Sequence, residues 1–179
     1  MSNFKKNHLN IQNLALMAVL LAAEIMLSRF LSLQTPIVKI GFAFIPVAIA
    51  ARKMGAQEAV IVAALGDFLG ALLFPVGAYF PGFTLTAAMK GLCSGLFLHK
   101  KCSLGRITAS VLINEIFGSL LLNTLWLSIL FGSPFFAILP TRLLQAAILA
   151  IVQVLSLWML LLKAGKFLDP KQSLGVLQK

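Results

Sequence analysis

Ionisable side chains inside apolar segments are where chemistry is first to be sought in this chain, because lipid makes each of them costly to keep. Arg29, Lys39 and Arg142 punctuate apolar runs, and arginine in particular grips a carboxylate through two parallel N–H donors. Three cations on one side of a membrane would suit an anionic ligand; the structural alternative is that they snorkel to lipid phosphates. Asp67 and Glu115 fall in the middle of other runs. Either could accept paired N–H donors from a heterocycle, or simply be hydrogen-bonded inside a bundle. Glu24 and Lys90 lie at similar depths and could form a structural ion pair between two helices.

The stretch Phe74-Pro-Val-Gly-Ala-Tyr-Phe-Pro-Gly-Phe-Thr84 adds aromatic chemistry. Proline restricts φ and glycine permits unusual values of it, so two of each give an ordered turn. Phe74, Tyr79, Phe80 and Phe83 then offer ring faces and Thr84 a polar handle, a plausible clamp for a flat ligand; the alternative is an interfacial aromatic belt. Asn123 and Trp126 could join the same pocket. Small residues recur at helical spacing in Gly66-xxx-Gly70, Gly91-xxx-Gly95 and Ala18-xxx-Ala22, a pattern that lets helices approach closely. Ala15, Ala18 and Ala22 form a smooth face that serves either internal packing or a partner helix.

No phosphate-binding Gly-x-x-x-x-Gly-Lys-Ser/Thr loop, Ser/His/Asp set or His-Glu-x-x-His motif is present, so neither ATP hydrolysis nor another enzymatic reaction is expected of this chain. His8 and His99 belong at the inner surface. Cys93 sits in an apolar run and Cys102 in a basic loop, which indicates neither disulfide framework nor metal site.

The elements that position these groups follow from composition. With 60% apolar and 11% charged residues, the chain lacks the roughly one-quarter charged surface of a soluble domain. Its net charge of +10 sits in short clusters between apolar runs, so it marks membrane orientation rather than nucleic-acid binding. A span needs roughly 20 helical residues. Apolar runs between breakers predict helices at about 11–33, 40–53, 57–74, 84–99, 104–131 and 141–164. The expected fold is therefore all-α, one polytopic domain over residues 1–179 with six transmembrane helices. Lys5-Lys6 before an apolar run resembles a signal peptide, but the run continues past Glu24, which predicts a retained first helix. Basic clusters at Lys5/Lys6, Arg52/Lys53, Lys100/Lys101/Arg106 and Lys163/Lys166/Lys171 place alternate loops, and both termini, in the cytoplasm. At a rise of about 1.5 Å per residue, Arg29 comes about 27 Å from the inner surface, with Lys39 and Arg142 also outside.

Four segments carry a resemblance to a known family. They are Arg29-Phe-Leu-Ser-Leu-Gln-Thr-Pro-Ile-Val-Lys-Ile-Gly41, Asp67-Phe-Leu-Gly-Ala-Leu-Leu-Phe-Pro-Val-Gly77, Tyr79-Phe-Pro-Gly-Phe-Thr-Leu-Thr86 and Thr141-Arg-Leu143. The chain resembles the substrate-binding S components of energy-coupling factor (ECF) vitamin transporters, specifically the folate group, over essentially its whole length. The resemblance implies a bacterial plasma-membrane protein that captures folate outside, under loops 1, 3 and 5. It implies docking through helix 1 alanines, Ala18 and Ala22 among them, onto a transmembrane coupling protein with two ATPases. ATP then belongs to the partner subunits, and this chain needs no cofactor or metal. Arg29 and the 79–84 loop become ligand candidates, beside Lys39, Asp67, Asn123, Trp126 and Arg142. Folate suits the residues: a flat pterin for rings, an aminopyrimidine edge for a carboxylate, an anionic tail for cations. An S component for another heterocyclic vitamin, a stand-alone facilitator and a membrane enzyme are the competing readings.

Overall fold

The computed structural model describes residues 11–34, 39–75, 78–99 and 103–163. Six helical rods make up most of the described residues. The first, α1 (Ile11–Arg29), is followed by a short antiparallel ribbon of β1 (Ser32–Gln34) and β2 (Lys39–Gly41). Then come α2 (Phe44–Lys53), α3 (Ala56–Leu73) and α4 (Pro81–Leu98). The fifth rod, Leu104–Phe131, joins α5 (Leu104–Ile113) to α6 (Asn123–Phe131) through a π-helical stretch, Asn114–Leu122. The sixth is α7 (Phe135–Leu157), which runs on as π-helix through Trp158–Lys163.

Four rods, Ile11–Arg29, Ala56–Leu73, Leu104–Phe131 and Phe135–Leu161, are long and apolar enough to cross a bilayer. Their large side chains point outward: Val19, Leu72, Phe117, Ile129 and Leu144 are all exposed. That inverts the soluble pattern and suits a lipid surround. The α4 helix is eighteen residues long; polar residues lower its hydropathy, and of these Thr86, Lys90 and Ser94 line the interior cavity. Apart from the short β1–β2 ribbon, the described residues form a helical bundle, and the chain is a multi-pass membrane protein.

The first connection differs from expectation. The apolar runs predict helix 1 to residue 33 and helix 2 from 40; residues 32–34 and 39–41 instead pair as the ribbon, with Ser32 opposite Gly41. Serine hydroxyls that bond back to the helix compete with its ladder. Here Ser28 Oγ donates to the Ile25 carbonyl at 3.2 Å and Ser32 Oγ to the Ser28 carbonyl at 2.6 Å. A Cβ on Gly41 would lie 2.7 Å from the Ser32 Cβ, so glycine permits the strands to meet. The sixth helix also begins earlier, at Phe135 rather than 141, with Pro140 inside it. Pro140 lies in the second turn, past the first-turn positions where proline costs nothing, so the Phe136 carbonyl loses its backbone donor.

Core and cavity occupy different ends of the bundle. Ala48, Ala50, Ala51, Ala59, Val62, Leu98, Ile107, Val111, Leu157 and Leu161 form the apolar core. It lies toward the end where the α2–α3 turn meets the end of α4, and Arg52 Nη1 donates to the His99 carbonyl at 2.8 Å there. The turn is made by Gly55 at φ 128°, a value closed to ordinary side chains. The α3 and α4 helices pack closely because Gly91 and Gly95 face the backbone and Cβ of Ala59 and Ala56.

Candidate functional site

All six rods contribute to one cavity of about 600 Å³, within the usual range for small-molecule sites. Tyr79 and Phe83 from the head of α4 and Phe131 from the end of α6 give it an aromatic mouth. Polar residues line it more deeply: Lys90 and Ser94 on α4, Asn114, Glu115 and Ser119 on the π-helical stretch, and Arg142, Gln145 and Gln153 on α7. A π-helical turn inside a longer helix is a recurrent mark of functional sites. Here it carries three of the lining residues.

A chain of hydrogen bonds closes one side of the mouth. Arg29 Nη2 donates to the Asp67 carbonyl at 3.2 Å and stands 3.9 Å from Asp67 Oδ1. The Thr84 hydroxyl donates to Asp67 Oδ2 at 2.9 Å, and Tyr79 Oη lies 3.1 Å from Thr84 Oγ1. Four sequence candidates on three elements thus form one network. The Tyr79 ring meets Phe68 edge-on at 6.0 Å. Arg29 Nε is buried with no hydrogen-bond partner, so the guanidinium is not saturated by the protein.

Phe80 and Trp126 stand behind the mouth rather than among the lining residues. Their rings pack at 5.4 Å over Gly82, where a Cβ would come within 2.5 Å of the indole. Trp126 Nε1 donates to Thr86 Oγ1 at 3.0 Å, and Thr86 donates to the Gly82 carbonyl at 3.0 Å. Trp126 therefore braces the start of α4. Phe74 turns away to meet the Phe30 ring at 5.0 Å. Asn123 does line the cavity, with its Oδ1 buried and unpartnered. Lys39 falls in β2, and Val76 and Gly77 of the aromatic loop lie outside the described residues.

Arg142 is the clearest correction of depth. Because α7 starts at Phe135, the residue sits two turns inside the helix, 5% exposed, and not at an outer helix head. Its Nη2 donates to the Ser119 carbonyl at 2.9 Å and its Nη1 to Gln145 Oε1 at 3.2 Å. Lys90 has Glu115, Arg142 and Asp67 among its charged neighbours. Glu24 rests against Gly66 of α3. Among the described residues the lining holds three acids (Glu24, Asp67, Glu115) and three bases (Arg29, Lys90, Arg142), so acids stand beside the expected cations.

Glycines make room for these charges. Gly66 and Gly70 read as a helix-packing pair in sequence, yet they receive Glu24 and Arg29, and Gly118 receives the Lys90 stem. A Cβ would lie 2.9 Å from Arg29 Nε at Gly70, and 2.5 Å from Lys90 Cε at Gly118. Sequence reasoning weighed Glu115 as an acceptor for a heterocycle but left Lys90, Ser119, Gln145 and Gln153 out of the site. The signal was present in α7, where Arg142, Gln145, Leu149 and Gln153 recur at helical spacing. Among the described residues, no group of three His, Cys, Asp or Glu is gathered as a metal centre.

Ala15, Ala18 and Ala22 are exposed on α1, opposite the buried Met17, Leu20, Glu24 and Ser28. Internal packing does not account for that face.

Comparison with known proteins agrees on one family. The family described as ECF transporter, substrate-specific component, matches residues 12–164. The chain is similar to the folate transporter FolT of Clostridium novyi (strain NT), 46% identical over 134 residues, 74% of this chain and 78% of that one. It is 30% identical over 153 residues to FolT of Leuconostoc mesenteroides, covering 82% of each chain. A crystal structure of FolT bound with folic acid superposes with a TM-score of 0.80 at 36% identity, covering 84% of this chain and 93% of that one.

Proposed function

Because the chain belongs to the family of ECF-transporter substrate-specific components, a transport family rather than an enzyme family, we infer that it is the folate-binding membrane subunit of such a transporter. The observation that carries the ligand is the Tyr79–Thr84–Asp67–Arg29 network beside an aromatic mouth, opening on a cavity of about 600 Å³. Flat rings pack on Tyr79 and Phe83, while Arg29 and Asn123 hold donors and acceptors that the protein leaves unmatched. Folic acid combines these requirements, and its anionic tail reaches Arg29 and the Lys39 region. Phe80 and Trp126 act by bracing the loop, and Arg142 holds the cavity wall.

Uptake requires work that this chain has no motif to perform. The exposed Ala15–Ala18–Ala22 face suits close docking by a helix of a transmembrane coupling protein, with two ATPase subunits supplying ATP hydrolysis. The end bearing Arg52, Lys53 and Arg106 faces the cytoplasm of a bacterial plasma membrane, and the cavity mouth faces outward.

The test is the absorbance spectrum of small molecules released from the purified full chain, followed by titration with folic acid while tryptophan fluorescence is read. A pterin spectrum and saturable quenching are expected. A flavin or thiamin spectrum, with no response to folic acid, would assign another vitamin.

A further inference from the structure

The fifth rod changes its hydrogen-bond ladder partway along. In the π-helical stretch Asn114–Leu122 the bonds run five residues back, and the last of them joins the Asn123 N–H to the Gly118 carbonyl. In α6 they run four back. Where a ladder returns from five back to four back, one carbonyl is passed over. Here that carbonyl belongs to Ser119, a buried residue, and Arg142 Nη2 donates to it from α7 at 2.9 Å. An unmatched buried carbonyl is costly, so this bond decides where the ladder changes.

The place of that change sets which side chains share the cavity. Each residue of an α-helix turns the chain by about 100°. Glu115 and Phe131 are sixteen positions apart in the sequence, and both line the cavity. On an unbroken α ladder they would stand about 160° apart; with one residue absorbed by the π stretch they stand about 60° apart. Trp126 also lies beyond the stretch and is turned toward Thr86, whose Oγ1 accepts from its Nε1 at 3.0 Å. On the α4 side the stretch is seated by Gly118, which takes the Lys90 stem, and by Asn114, whose Nδ2 donates to Ser94 Oγ at 3.1 Å.

We propose that Arg142 is a positioning residue: its bond to the Ser119 carbonyl pins the π stretch, and through it the rotation of α6 against the cavity. The proposal rests on the folate reading only for the ligand used in one arm of its test. Without the arginine, the Thr124 N–H takes the Ser119 carbonyl and the change of ladder migrates toward Phe131. Each residue it passes turns by about 100°. Asn123 then leaves the cavity and Trp126 leaves Thr86. Arg142 thus shapes the site without gripping the ligand.

The first arm titrates folic acid on the purified full chain in nanodiscs, with and without Arg142→Met, in two rods. One is the natural rod; the other lacks the exposed Phe117 of the π stretch. Removing one residue lets the ladder run four back throughout, so no carbonyl is passed over. Arg142→Met should weaken binding by more than about tenfold in the natural rod and by less than about twofold in the shortened one. An equal loss in both rods, as from an arginine that grips the ligand, or no loss in either, overturns the proposal. The second arm needs neither ligand nor deletion. With Trp158→Phe, Trp126 is the sole tryptophan. Arg142→Met should shift its emission maximum, whereas Arg142→Lys, which keeps a donor on a stem of similar length, should hold it at the starting value. An emission maximum that stays in place in Arg142→Met, or moves equally in both variants, overturns the proposal. A chain that does not bind folic acid removes the folate reading, and the second arm alone then decides the role of Arg142. It decides equally if the shortened rod fails to fold.

Discussion

At the scale of single residues, the site depends on pairs in which a charged side chain meets either a carboxylate or a glycine. Arg29 joins Asp67, 38 residues further along the chain, and lies on Gly70. Replacing Arg29 by alanine should weaken folic acid binding by well over tenfold, measured by fluorescence titration of purified protein; unchanged affinity would remove Arg29 from the site. Gly70→Ala places a methyl where the guanidinium stem runs and forces an off-rotamer side chain. That should lower affinity about two- to tenfold. In an Arg29→Ala background the same change should have little effect, because the group it displaces is gone. Equal losses in both backgrounds would mean that Gly70 serves helix packing alone. Sequence shows Arg29 and Asp67 as charges in apolar runs, but not that they meet. Pairing between distant rods depends on helix rotation, which a weak local pattern does not fix.

At the scale of elements, the head of α4 is the part most constrained. Pro81 occupies the first position of α4, where its missing N–H is not needed. Trp126 and Phe80 hold it from behind, and Thr84 ties it to α3 through Asp67. Thr84→Val removes that tie and leaves an acceptor unmatched. Folic acid should then dissociate several-fold faster in stopped-flow chase experiments, with the association rate little changed; an unaltered off-rate would show that the loop is held without it. The rods themselves were legible in sequence because apolar runs of this length have few other readings. The ribbon after α1 and the early start of α7 were not. Three paired residues on each strand carry too little periodicity to register, and Pro140 reads as a boundary although α7 carries it in its second turn at the loss of one backbone bond. The aromatic stretch from 74 to 84 was legible as ordered, but not the division of its rings between lining and bracing.

At the scale of the molecule, binding and coupling lie on separate surfaces. The buried side of α1 carries Glu24 toward the cavity, and its opposite side carries the exposed alanines. Ala18→Trp and Ala22→Trp should therefore leave folic acid affinity unchanged in purified protein while abolishing uptake by cells that express the whole transporter. Loss of binding would mean that these alanines pack the bundle. The acids that stand among the cavity's cations, as the described residues show, bear on how such a receptor finds its ligand. A funnel of cations alone draws in anions by long-range attraction, which dissolved salt screens within about 10 Å at 0.1 M. Where acids stand beside the cations that distant field is smaller, and capture leans more on shape and short-range contacts.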